Sequence, residues 1–140
     1  MSYTKLRKLI TFDKLIDRVL SGILRLEDPR NRSMGYSFSD IMMSGFAVFS
    51  LKYPSLLCFD DQTETQRQNL MTLFGIEQLC SDSHLRGVLD KVDPSRLKTL
   101  FSNFYSYLKQ LGITKEYQVL GNRLVCSIDG TSLWIREGVL

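Results

Sequence analysis

Histidine and cysteine are scarce in this chain, with one and three in 140 residues. Cys58, Cys80 and Cys126 are far apart, no C-x-x-C pair occurs, and His84 is the single imidazole. A tetrahedral zinc site at the usual ligand spacing is therefore not expected. The odd number of cysteines predicts three reduced, mostly buried thiols. The most apolar run, Ile41 to Leu51, falls well short of the roughly 20 residues that cross a bilayer, so no membrane span is expected. The opening MSYTKLRKLITFDK has basic residues but no apolar stretch leading to a small-residue cleavage site. A cytoplasmic location follows as the expectation. Internal repeats and low-complexity tracts are also missing, which argues against a repeat array.

What is there is an ordinary globular composition, 44% hydrophobic and 24% charged. The length suits one domain with a core of its own, or a small domain joined to a piece of another. The charge is unevenly placed. Up to Arg32 there are eight Lys or Arg and four Asp or Glu, and from Ser33 onward ten and eleven, so the whole positive excess lies at the N-terminus.

The chain reads as helices first and strands last. Thr11 can cap a helix from Phe12 to about Glu27, with Phe12, Leu15, Ile16, Val19, Leu20, Ile23 and Leu24 at three- and four-residue spacing. Lys14, Arg18 and Arg25 share the opposite face, and Arg7 joins them if the helix extends backward. After the loop DPRNRSMG, Ser37 and Asp40 mark the start of a second helix, from about Asp40 to Lys52, apolar on nearly every side and hence expected at the centre. Pro54 ends it. A third helix is predicted from about Glu64 to Phe74, stopped by Gly75, and a short fourth one in SDSHLRGVLD, capped by Ser81. A fifth follows Asp93 and Pro94 and ends before Gly112.

Beyond Gly112 the apolar period changes to two, and EYQVL, GN and RLVCSID predict a β-hairpin. The fold class is thus mainly α: a helical N-terminal module of about five helices, residues 1–113, followed by the start of a second domain, residues 114–140. A two-stranded piece is marginal in water and needs a partner surface. The run RLVCSIDGTSLWI places Asp129 at the end of an apolar strand. A carboxylate there is costly unless solvated, paired or holding a metal. Asp-Gly-Thr after a strand is also how a plain turn is written.

Three blocks, YSFSDIMMSGFAVFSLKYPSLLCFD, SDSHLRGVLDKVDPSRLKTLF and SIDGT, stand in this order between Tyr36 and Thr131. Together they resemble the N-terminal part of DDE-type insertion-sequence transposases. The resemblance implies a helical region ahead of an RNase H-like α/β core, with SIDGT as the first core strand and Asp129 as the first catalytic and metal-holding acid. It implies a full-length parent that cleaves DNA and transfers strands using Mg²⁺ or Mn²⁺, since two divalent ions can activate the attacking oxygen and stabilise the leaving one. One carboxylate cannot position two ions, and Glu137 is too close to substitute for the missing acids, so the chain alone is expected to be inactive and to bind no metal tightly. Such a protein must grip transposon ends by their phosphates, which makes Arg7, Lys14, Arg18, Arg25, Arg30 and Arg32 the candidate contacts to double-stranded DNA; the same stripe can equally be a solvated face. Assembly into a homo-oligomer is consistent with this reading. The alternative is a stand-alone, non-catalytic helical module that binds DNA or another protein. Arg86 is expected to pair with a nearby Asp, His84 to be an exposed helical residue, and Phe101, Phe104, Tyr105 and Tyr107 to pack in the core or between helices.

Overall fold

The computed structural model describes residues 8–31, 35–119 and 123–124. Helix α1 runs Phe12–Ile23, capped as expected by Thr11, whose Oγ1 accepts the Lys14 N–H at 3.3 Å. It stops short of Glu27 because the chain tightens: Arg25 and Leu26 donate to carbonyls three residues back, at Gly22 and Ile23. Leu24, expected on the apolar face, is left exposed at this end.

Helix α2, Phe38–Ser50, begins two residues earlier than its apolar pattern suggested. Ser37 Oγ accepts the Asp40 N–H at 2.9 Å, so Asp40 lies inside the first turn. Helix α3, Leu56–Phe74, starts eight residues before the expected Glu64. Ser55 caps it by accepting the Cys58 N–H at 3.0 Å, and Phe59 points into the core. Gly75 closes α3 at φ +62°, and the Ile76 N–H returns to the Met71 carbonyl, a left-handed closure that glycine adopts without a Cβ clash.

The link from α3 to α4 is held by two carboxylates from elsewhere in the fold. Asp40 Oδ1, buried in α2, accepts the Glu77 N–H at 2.8 Å. Asp60 Oδ2 accepts the Asp82 N–H at 3.3 Å, at the first turn of α4, Asp82–Leu89. Ser81 occupies the cap position of α4 but makes no capping bond; its hydroxyl pairs with Ser83 and with His84 Nδ1, 2.9 Å away. The expected serine cap is thus replaced by a tertiary one.

Helix α5, Pro94–Gln110, opens on Asp93, which accepts both the N–H and the hydroxyl of Ser95 at 2.9 and 2.6 Å. A 3₁₀ turn, Ile113–Tyr117, leads into strand β1, Gln118–Val119, which pairs antiparallel with β2, Arg123–Leu124. The chain is mainly helical, and this two-residue ladder is too short to establish the longer hairpin read from the sequence.

The core forms around α2. Met43, Ala47 and Leu85 are wholly enclosed, with Ile41, Phe59 and Phe74 nearly so. Gly45 lets α4 approach: a Cβ there would come within 3.2 Å of Leu89. Helix α5 contributes no fully buried residue and lies against this core through Leu97, Leu100 and Phe104. Phe101, at 57% exposure, and Tyr105 are therefore on the surface, contrary to the packing role expected of them. The amphipathic stripe of α5 is narrow and its aromatics lie partly outside it.

Truncating Met43 to Ala removes a side chain that no neighbour can replace, and the expected loss is about 2–5 kcal/mol in urea unfolding. The Ser44 hydroxyl is fully enclosed, and among the described residues it has no hydrogen-bond partner of ordinary geometry, only a weaker interaction with the Cys80 thiol. Ser44→Ala is therefore expected to be neutral or stabilising by up to about 1 kcal/mol; a clear loss in the same unfolding assay would show that the hydroxyl is satisfied in solution.

Candidate nucleic-acid interface

Ile16, Val19 and Ile23 turn one side of α1 into the core, which puts Lys14 and Arg18 on the exposed side, as their spacing predicted; Arg25 is exposed too, but in the turn that follows α1. Helix α5 borders that side. The two helices lie antiparallel, since contacts climb one as they descend the other. Tyr107 donates its hydroxyl to the Leu9 carbonyl at 3.3 Å, Arg18 stacks on Tyr107, Gly22 meets Leu100, and Arg96 pairs with Glu27 at 2.9 Å. Gly22 sets how closely they approach, because a Cβ there would stand 3.0 Å from Leu100 Cγ.

This seam leaves a groove of about 370 Å³ between Arg25 on one wall and Arg96, Thr99 and Asn103 on the other, floored by Leu100. A smaller recess of about 90 Å³ continues it toward Arg18, Ser21 and Phe104. The polar stripe of α5 that faces α1 was not visible in the sequence. Arg96, Leu100, Asn103 and Tyr107 recur at four- and three-residue spacing, but only the position of α1 turns that spacing into the wall of a groove.

The candidate cations are held differently. Arg18 has its guanidinium carbon 3.6 Å from the centre of the Tyr107 ring, a cation–π contact that fixes the plane while leaving the N–H edges able to donate. Lys14 spends one ammonium donor on the Lys8 carbonyl at 2.9 Å. Arg25 is exposed. Arg30 is a different case: its Nε and Nη2 grip both oxygens of Asp28, at 2.7 to 3.1 Å, its Nη1 donates to the Tyr36 carbonyl, and its side chain is only 10% exposed. Those contacts brace the loop after α1, and they separate Arg30 from the stripe. Arg7, Arg32 and Asp129 lie outside the described residues, as do Cys126 and Glu137.

Other side chains singled out from the sequence fall as follows. His84 is exposed and packs edge-on against Tyr36. Arg86 makes no ion pair among the described residues, which instead hold Asp28–Arg30 and Glu27–Arg96. Burial pushes the Cys80 thiol up from its ordinary range, which suits a packing role rather than a nucleophilic one. No three His, Cys, Asp or Glu side chains converge among the described residues in a way that could hold a metal ion. No helix among the described residues is long and apolar enough to cross a membrane.

What fold and geometry define is a mainly helical domain with a cationic seam on its outer pair of helices. Comparison of the chain with family models, with curated proteins and with solved structures found no match.

The Asp28–Arg30 pair gives a pH test of the loop. Hydrogen bonds from Arg30 hold the Asp28 carboxyl below its usual range. A depressed folded-state pKa stabilises the fold above the ordinary carboxylate value of about 3.9, and that stability is lost as pH falls through the folded-state value. Asp28→Asn is accordingly expected to lower the melting temperature at pH 7 and to approach the parent protein below about pH 4. A gap that persists unchanged into acid would contradict the pairing. At the seam, Gly22→Ala sets a helix-propensity gain against a Cβ that would stand 3.0 Å from Leu100, so the substitution is expected to raise the melting temperature more in a Leu100→Ala background than in the parent chain.

Proposed function

We propose that this chain is the N-terminal portion of a DDE-type DNA transposase, and that its helical module grips duplex DNA by the phosphate backbone. The reading of the parent enzyme rests on the three ordered blocks between Tyr36 and Thr131. The observation that carries the DNA contact is the outer face of α1 and the turn after it: Lys14 and Arg18 are exposed on the side away from Ile16, Val19 and Ile23, and Arg25 is exposed just beyond the helix end. Two cations on a helix whose core side is locked, with Arg25 in the turn just past its end, offer a row of donors to successive phosphates. Duplex DNA presents one negative charge per roughly 1.7 Å of axis and releases counterions when they bind.

In this reading the module positions DNA and does not read its sequence, because phosphate contacts carry no base information. The chemistry of the parent belongs to a core beginning near SIDGT, with Asp129 as its first acid. The 140-residue chain has in Asp129 one such acid and is not expected to cleave.

Replacing Lys14, Arg18 and Arg25 together by Gln keeps helix propensity nearly constant. The stacking of Arg18 on Tyr107 is lost at a cost of about 0.5–1 kcal/mol, so the variant is expected to fold with a slightly lower melting temperature. Its binding to duplex DNA is expected to weaken equally on unrelated sequences, with the log–log salt slope shallower by roughly two to three units. Unchanged affinity and slope would leave the stripe as a solvated face and remove the DNA reading. The chain is also expected not to nick plasmid in Mg²⁺ or Mn²⁺. Nicking that disappears in Asp129→Ala would refute the assignment of Asp129 as one incomplete part of a larger site.

A further inference from the structure

The α1 stripe is only one wall of the groove it borders, and the second wall has a matching chemistry. On α5 the side turned toward α1 carries Arg96, Thr99 and Asn103, a cation and two neutral hydrogen-bond donors above an apolar floor at Leu100. The other described cations of α5, Lys98 and Lys109, lie together on the face roughly opposite Arg96 at about 100° per residue. Arg96 is thus the α5 cation placed to act together with Arg25. One anion already sits at this position: Glu27 accepts from Arg96 Nη1 at 2.9 Å, in a pair whose side chains are 78% and 45% exposed.

We propose that the whole α1–α5 groove, not the α1 stripe alone, seats the phosphodiester backbone of duplex DNA, and that Glu27 is an internal competitor which a backbone phosphate displaces from Arg96. The inference rests on the DNA reading above and adds to it a second wall, a set of contacts and a sign. An ion pair this exposed contributes little to stability, because water and salt screen it. Exchanging its carboxylate for a phosphate therefore costs the fold little. Arginine suits the exchange, because its planar fork of donors matches phosphate as well as carboxylate. Thr99 and Asn103 supply neutral donors that can bond phosphate oxygens without adding charge. Gly22 keeps the two walls close enough to act on one strand.

The competitor makes the test directional. In salt titrations with a random-sequence duplex, Glu27→Gln is expected to bind more tightly, by roughly twofold to fivefold, the worth of one exposed ion pair released. Arg96→Gln is expected to weaken binding, to make the salt slope shallower by about 0.9, and to cancel most of the gain when combined with Glu27→Gln. Thermal melts of each variant, read by circular dichroism, keep a folding defect apart from a binding one. If Arg96→Gln fails to fold, Glu27→Gln is judged against Glu64→Gln, which removes the same single negative charge at an exposed site on α3; equal gains in the two would refute the competitor. If the Lys14, Arg18, Arg25 triple variant loses affinity while both Glu27→Gln and Arg96→Gln bind like the parent, the second wall is refuted and DNA binding by α1 stands. If all of them bind like the parent, the DNA reading itself falls, and this inference with it.

Discussion

Helix α2 has no polar face, and a helix that is apolar all round has to be enclosed along most of its length; only its last turn, at Phe49 and Ser50, is exposed. From Asp40 to Gly45, and again at Ala47 and Val48, its residues are buried, and α1, α3 and α4 each contribute side chains to the same core. Burying an apolar side chain is worth about 1.5–3 kcal/mol, so each surrounding helix gives up its own apolar stripe to α2. That requirement orients α1. With Ile16, Val19 and Ile23 committed inward, Lys14 and Arg18 have only the outer side left to occupy. The charge distribution on the surface is thus a consequence of the core and not an independent feature.

Helix α5 is bound by different means. It has no fully buried residue, and its hold on α1 combines the half-buried Leu100 and Phe104 with a stacked arginine, a tyrosine hydroxyl on a backbone carbonyl, and an exposed ion pair. Contacts of that kind are individually weak and exposed to competition from ligands. A seam of this character is better suited to rearrange around a polyanion than the core is. The buried carboxylate of Asp40 contrasts with it, since its bond to the Glu77 N–H ties the α3–α4 link directly to the central helix.

Much of the helical architecture was legible in the residues themselves. Thr11, Ser37 and Asp93 act as caps where their types and spacing predicted, and Gly75 and Gly112 take the left-handed conformations that end helices. What stayed hidden was set by tertiary contacts. The first two turns of α3 were missed although Ser55 caps them, because Leu56 to Phe59 are apolar at four consecutive positions and show no helical period. Helix α4 draws its N-terminal acceptor from Asp60, 22 residues away. In the candidate site, the stripe on α1 was readable from periodicity, whereas the engagement of Arg30 by Asp28 and Tyr36 and the α5 wall opposite Arg25 depend on how the chain folds back.

Amide chemical-shift mapping of the isotopically labelled chain during titration with a short duplex tests most directly whether the seam is the place where DNA sits. Shifts and broadening concentrated on Arg18, Ser21, Arg25, Arg96, Thr99 and Asn103, fading as salt is raised, are the expected result. Perturbations that avoid α1 and α5, or that are absent at low salt, would contradict it.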